Sequence, residues 1–179
     1  MQPIILNDIP FEPDTDRLMA NLHVTADSSL AAELQALIEE AQYVATSTAL
    51  YRVAYISSKS DDGVAVDGIH LPSRLLTVNL EHVHRVFPYL ATCGTELDDW
   101  SHTKRDVLHQ YWAEAIKQAA LGAAQRAMNA HLVAHYAPGK TSTMSPGRVE
   151  YWPLTQQRPL FDLLGNPKDT VGVRLTESC

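Results

Sequence analysis

From Asp106 to Tyr136 the chain reads DVLHQYWAEAIKQAALGAAQRAMNAHLVAHY, with no proline and a single glycine. Alanine and the straight-chain residues are the strongest helix formers, and summed over a window this long they leave one reading, a single long helix. Leu108, Trp112, Ile116, Ala119, Ala123, Ala127 and Ala130 share one face of it. The alanines, with Gly122, let another element approach the backbone closely, and Ala137-Pro138-Gly139 ends the run.

The remaining elements are short and mixed. Ile4 to Leu6 is an apolar run closed by Asn7 and Pro10, an edge strand. Asp27-Ser28-Ser29 can cap a helix from about Leu30, whose buried stripe is Leu30, Leu34, Leu37, Ile38 and Ala41 with Glu33, Glu39 and Glu40 outside it. ALYRVAYI (49–56) is β-like, SSKSDDG is a turn and VAVDGIHL (64–71) is a second strand, so the pair reads as a hairpin. Pro72-Ser73 opens a helical segment reaching about His82. Val83 to Leu90 reads as a buried strand running on to Thr92-Cys93-Gly94, with Thr95 capping a new helix. A short helix over about Thr155–Leu164, capped by Gly165, and a strand over Thr170–Thr176 complete the set. There is no βαβ rhythm, repeat or internal linker. The expected fold class is α+β, one domain over 1–179, a twisted and mainly antiparallel sheet with the long helix packed on it.

At 179 residues the chain can bury a core without staples, and its 45% hydrophobic content suits a soluble globular protein. The net charge of −7 argues against nucleic acid or an anionic membrane as partner, since both call for a basic surface. The two cysteines, Cys93 and Cys179, form no CxxC and suit a reducing compartment. MQPIILNDIPFEPD lacks the basic and apolar regions of a signal peptide. No run approaches the roughly 20 apolar residues of a membrane span. The expected location is cytoplasmic.

Several residues could carry chemistry, each beside a plainer reading. His131 and His135 stand one helical turn apart, as a metal pair would, but no zincin-type Glu or third ligand accompanies them. His82 and His84 fall on one side of an extended segment; surface histidines are the simpler reading of both pairs, and no metal is expected. Cys93, before Gly94 at a strand-to-helix junction, has no recognisable base, and a structural thiol is favoured. The TCGTE junction itself offers backbone N–H groups to an anion. Glu114 lies with Gln110, Lys117, Gln118 and Gln125 on the polar side of the long helix, either paired with Lys117 or holding a ligand ammonium. No triad, P-loop or GxGxxG is present.

The densest constellation is MSPGRVEYWPLTQQRPLF, 144–161. Pro146-Gly147 is a turn dipeptide, and a bare turn does not need Arg148, Glu150, Tyr151 and Trp152 crowded behind it. Flat aromatics beside open backbone groups suit a shallow small-molecule site. The residues alone leave a ligand turn and a punctuated loop equally open.

MSPGRVEYWPLTQQRPLFDLLG followed by TVGVRLTES resembles the activation domain of cobalamin-dependent methionine synthase, and more closely its small stand-alone relatives. The shared order is a Pro-Gly turn, an acid and Trp-Pro segment, Gln-Gln, a Leu-Phe-x-Leu-Leu helix start and a Gly-Val-x-Leu-Thr-Glu-Ser strand, matching over roughly Ser142–Ser178. ATCGTELD and WAEAIKQAALGAA also look like the family, so the resemblance covers most of 85–179 and little of the first 80 residues. It implies a protein that binds S-adenosylmethionine and presents it to a cobalamin (corrinoid) held by a partner protein or methyltransferase, so that oxidised cobalt is reductively methylated. An electron donor of flavodoxin or ferredoxin type is implied with it.

In the family's Arg-x-x-x-Gly-Tyr pattern the Arg, the small residue before Pro-Gly and nearby backbone contact the ligand. Here Ser145 is the small residue, Pro146 and Gly147 are the turn, Thr143 stands in place of the Arg and Arg148 in place of the Tyr. Thr cannot replace the bidentate clamp on the ligand carboxylate, whereas Arg148 can supply the charge from the other side of the turn. Tyr151 or Trp152 would face the adenine and Glu114 the amino group. No side chain is required as an acid or base. The alternative is a non-catalytic interaction module, a scaffold for a corrinoid protein that has lost the ligand site. Relatives continue beyond Thr-Glu-Ser, so the resemblance leads to an expectation of a longer natural chain.

Overall fold

The structure is a computed structural model and describes residues 2–176. It holds 47% helix and 18% strand in two antiparallel sheets and separate helices, without a βαβ rhythm, and the fold class is α+β. Its contacts divide the chain into two compact units. A sheet unit comprises the start of the chain up to Ile5, Leu50–Leu90 and the segment from Ala137 on; a helical unit comprises Leu6–Ala49 and Ala91–Tyr136. β1 (Ile4–Ile9), β2 (Ser47–Tyr51) and β7 (Tyr89–Thr92) are the three strands of one sheet, in the order β1-β2-β7. Among the described residues no helix is long and apolar enough to cross a membrane.

The helical unit holds α1 (Thr15–Asn21), α2 (Ser29–Val44), α4 (Thr95–His102) and α5 (Val107–Tyr136). Three of these starts have a side-chain cap. The Asp14 carboxylate accepts from Arg17 N at 3.0 Å, Ser28 Oγ from Leu30 N at 3.1 Å, and Asp106 Oδ1 from Leu108 N at 2.8 Å, satisfying donors a helix start leaves open. Thr95 does not cap α4; Gly94 takes that position with no side-chain bond. The principal partners of α5 are α2 and α4 rather than a sheet. Of its buried residues, Trp112, Ile116, Ala120, Ala124, Met128 and Leu132 climb in steps of four, with Ala113 beside them, the ridge along which helices commonly interdigitate. The expected stripe is therefore rotated: Ala120 and Ala124 are buried where Ala119 and Ala123 were anticipated, and Leu108 is 38% exposed. Leu34, Ile38, Leu97, Trp112 and Ile116 form the centre of this core, each about 1% exposed or less.

The sheet unit is built on β5-β4-β3-β6, with β3 (Ala54–Ser60), β4 (Gly63–Val66), β5 (Ile69–Pro72) and β6 (Arg85–Val86) all antiparallel. The expected hairpin is two hairpins. Asp67 and Gly68 both adopt positive φ (46° and 85°), the requirement of the two-residue turn that matches strand twist, and VAVDGIHL folds back on itself there. ALYRVAYI breaks at Arg52-Val53, where the Arg52 guanidinium turns to the Leu163 carbonyl (2.7 Å) and Asp67 Oδ2 (2.6 Å). Val83–Leu90 is likewise interrupted at Phe87-Pro88, since proline has no N–H for a ladder.

The short helices of this unit are α3 (Arg74–Asn79), α6 (Gln157–Leu164) and α7 (Pro167–Val171), with a 3-10 turn over Leu154–Gln156. Ala54, Val64, Val66, Leu71, Leu76, Trp152 and Leu163 make its core. The strand expected over Thr170–Thr176 is not formed: Thr170 and Val171 end α7 and the rest is irregular. Pro167 at the first turn presets helical φ, Thr170 Oγ1 donates to the Asn166 carbonyl at 3.1 Å, and Gly172 closes the helix in the left-handed region at φ 73°. Glu177 and Ser178, the end of the matched strand motif, lie with Cys179 outside the described residues.

Candidate functional site

Thr143 to Trp152 is a tight surface turn of the sheet unit. Gly147 N donates to the Trp152 carbonyl at 2.8 Å and Arg148 N to the Ser145 carbonyl at 3.2 Å, which closes the loop on itself. Gly147 sits at φ 79°, so the backbone conformation calls for glycine; a Cβ there would lie 3.0 Å from Leu154 Cδ1, the end of an exposed side chain that can shift. Thr143, Gly147, Arg148 and Tyr151 are exposed, Ser145 is half-buried and Pro146 is buried. The Arg148 side chain makes no ion pair with a described residue.

The two aromatics behave oppositely. Trp152 is 4% exposed and belongs to the core of its unit, so it is not an open stacking face. Its Nε1 and Gln156 Oε1 are each buried without a hydrogen-bond partner among the described residues, which is uncommon for interior polar atoms. Tyr151 is 73% exposed and held at φ 62°. A bulky residue in the left-handed region is a backbone outlier, with a cost of roughly 1–3 kcal/mol.

The turn leads through the 3-10 segment into α6, where a shallow groove of about 480 Å³ is lined by Arg158, Phe161, Asp162, Leu175 and Thr176. The sequence reading did not single these out. Their signal was the one-turn spacing of Arg158 and Asp162 beside Phe161 in QRPLFDLL, which also reads as an ordinary amphipathic helix.

Glu114 belongs to the helical unit, on α5. It lines a cleft of about 370 Å³ with Ser101, His102, Lys104 and Gln110, and its carboxylate is 2.8 Å from Lys117 Nζ, the pairing weighed from sequence. Lys117 also reaches Asp98 Oδ1 at 2.7 Å and donates to Ser101 Oγ at 3.2 Å. Burial pushes the Lys117 ammonium down, but its bonds to Asp98 and Glu114 outweigh that and raise it, while the same contact holds Asp98 below the usual carboxylate range. On the same unit Glu40 accepts from Trp100 Nε1 at 3.0 Å and pairs with Lys104 at 2.5 Å. The Lys104 bond, then that from Trp100, lowers the Glu40 carboxyl.

The other sequence candidates find ordinary settings. Burial raises the Cys93 thiol, the reverse of what a nucleophile needs. At TCGTE the Glu96 carboxylate accepts from Thr46 Oγ1 and Thr95 Oγ1, so the first turn of α4 carries its own anion. His82 is exposed with Nε2 3.9 Å from Glu81, and His84 is exposed. The His131 and His135 rings stack with centroids 3.9 Å apart. No group of three or more His, Cys, Asp or Glu among the described residues converges as for a metal.

No protein-family model matches the sequence, and no curated protein matches it.

Proposed function

We propose that the Thr143–Trp152 turn binds S-adenosylmethionine and that the protein presents this donor to a cobalamin held by a partner protein, in the manner of methionine synthase activation domains. The observation that carries the reading is Tyr151, an exposed aromatic kept at φ 62° beside a glycine turn and an exposed arginine. Backbone strain at an exposed position is retained where it aims a side chain. The residues suit the ligand's chemistry. Arg148 offers a charged fork to the carboxylate, Tyr151 a flat face to the adenine, and the Ser145-Pro146-Gly147 backbone its polar groups. Trp152 Nε1, at the end of the turn, and Gln156 Oε1, in the 3-10 segment after it, are a buried donor and a buried acceptor without a hydrogen-bond partner among the described residues. Trp152 shapes the turn from beneath, and Tyr151 is the stacking surface.

Bound S-adenosylmethionine supplies an electrophilic methyl group. The protein binds and orients it, and no side chain has to move a proton. The sequence resemblance over Ser142–Ser178 favours a cytoplasmic protein whose partner is a corrinoid protein or methyltransferase, with reduction supplied by a flavodoxin- or ferredoxin-type donor. A second reading, a corrinoid-protein scaffold without ligand, is favoured by Thr143, which stands exposed where the family has its Arg.

Calorimetric titration of the full chain with S-adenosylmethionine and S-adenosylhomocysteine separates the two. Binding of either supports the first, and Arg148→Ala then weakens it at least tenfold, about 1.4 kcal/mol. Tyr151→Gly relieves the strained φ, so it preserves or raises the melting temperature while also weakening binding. Absence of heat with both ligands, on protein shown to be folded, leaves only the scaffold.

A further inference from the structure

The last turn of α5 carries a pair of imidazoles that the proposed ligand turn does not use. We propose that His131 and His135 form a bidentate site for an imidazole-preferring transition-metal dication, of the Ni²⁺, Cu²⁺ or Zn²⁺ class. Four residues apart on one helix, the two rings lie 3.9 Å apart at 18°. Two nitrogens sharing one metal at about 2.0–2.1 Å each must stand roughly 3 Å apart with their in-plane lone pairs converging, so the stacked rings are close enough to share an ion once they swing out of the near-parallel stack by rotation about their side-chain bonds.

The protonation pattern is the one a ligand needs. His135 Nδ1 lies 2.9 Å from the His131 carbonyl oxygen. A carbonyl only accepts, so Nδ1 carries the hydrogen and Nε2 keeps its lone pair. A backbone carbonyl fixing the tautomer of the other nitrogen is the usual arrangement behind a metal-bound histidine. The position adds to this, because the open carbonyls of a helix C-terminus favour a cation.

Among the described residues no third His, Cys, Asp or Glu converges with the pair, so the proposed site rests on two imidazole ligands. Affinity is therefore moderate and follows the stability order for nitrogen ligands, Cu²⁺ above Ni²⁺ and above Zn²⁺. The spacing was visible in the sequence. The stacked rings and the fixed Nδ1–H were not.

The test is a Ni²⁺ and Zn²⁺ titration of the full chain by calorimetry in a non-coordinating buffer. Wild type is compared with His131→Ala, His135→Ala and the control His82→Ala, each checked for folding by circular dichroism. Wild type and His82→Ala should share one strongest site of unit stoichiometry, and each α5 variant should weaken it at least tenfold. His135→Asn, which keeps polarity and size but no ligand nitrogen, should behave like His135→Ala. If either α5 alanine variant titrates like wild type, or only His82→Ala loses the site, the assignment is overturned.

Discussion

Gly94→Ala tests the packing argument most directly, because its backbone and its surroundings both exclude a side chain. Gly94 sits at φ 91° and ψ 150°, close to a region that is essentially glycine-only, with a cost of about 1–3 kcal/mol for other residues. A Cβ there would lie 2.5 Å from Thr46 Oγ1 and 2.9 Å from the Thr46 carbonyl oxygen. The methyl group meets the hydroxyl that Glu96 accepts from and a backbone oxygen that cannot rotate away, an overpacking effect of roughly 1–3 kcal/mol. The expected loss is about 2–6 kcal/mol, a large part of the 5–15 kcal/mol typical of a folded domain. Gly139→Ala is the control: its φ is 72° with nothing within 4 Å of the added carbon, so it carries left-handed strain alone, roughly 1–2 kcal/mol. Urea unfolding of the two variants reads the difference as a midpoint shift at unchanged slope. Adding Thr46→Ala to Gly94→Ala removes one of the two close contacts and should restore part of the loss. Gly94→Ala and Gly139→Ala falling within about 0.5 kcal/mol of each other would refute the crowding argument.

Two further outcomes follow from the helical unit. Trp112→Ala, at a position 1% exposed, should lower stability by about 3–5 kcal/mol in the same urea assay, and a loss under 1 kcal/mol would remove it from the core. The folded-state carboxyls of Glu40 and Asp98 lie below their ordinary values, so their contribution is present above the unfolded pKa and fades as pH falls through the folded one, below about pH 4. Thermal melts from pH 7 to pH 2.5 should show that acid limb, shallower in Lys104→Met and Lys117→Met. An unchanged limb in both variants would mean that these pairs do not govern it.

What was legible in the sequence was mostly local. Ser28 announced its helix because a cap acts over two or three residues, and the α5 run was unmistakable by propensity, although its Asp106 cap was not singled out. Breaks set by distant partners were hidden. Arg52 interrupts a β-like run to reach Asp67 and the Leu163 carbonyl, and nothing near position 52 signals a partner so far along the chain. TVGVRLT alternates like a strand, yet Pro167 and the Asn166 carbonyl, just upstream, commit its first residues to α7. At the candidate site the Gly147 turn was readable from Pro-Gly. The opposite fates of Tyr151 and Trp152 were not, since adjacent aromatics reveal nothing of which one the core takes.

The segmental make-up of the two units has a consequence for biosynthesis. Ala54 and Val64 emerge early from the ribosome, but their core partners Trp152 and Leu163 are added only near the end. Domains ordinarily fold in order of synthesis, whereas here the sheet unit waits for the last part of the chain while Leu6–Ala49 waits for α4 and α5. Neither unit can be cut out as one continuous fragment. A premature stop after Tyr136 would leave the segments of the helical unit complete and strip the other of its closing residues, turning exposed β3 and β4 into a substrate for chaperones.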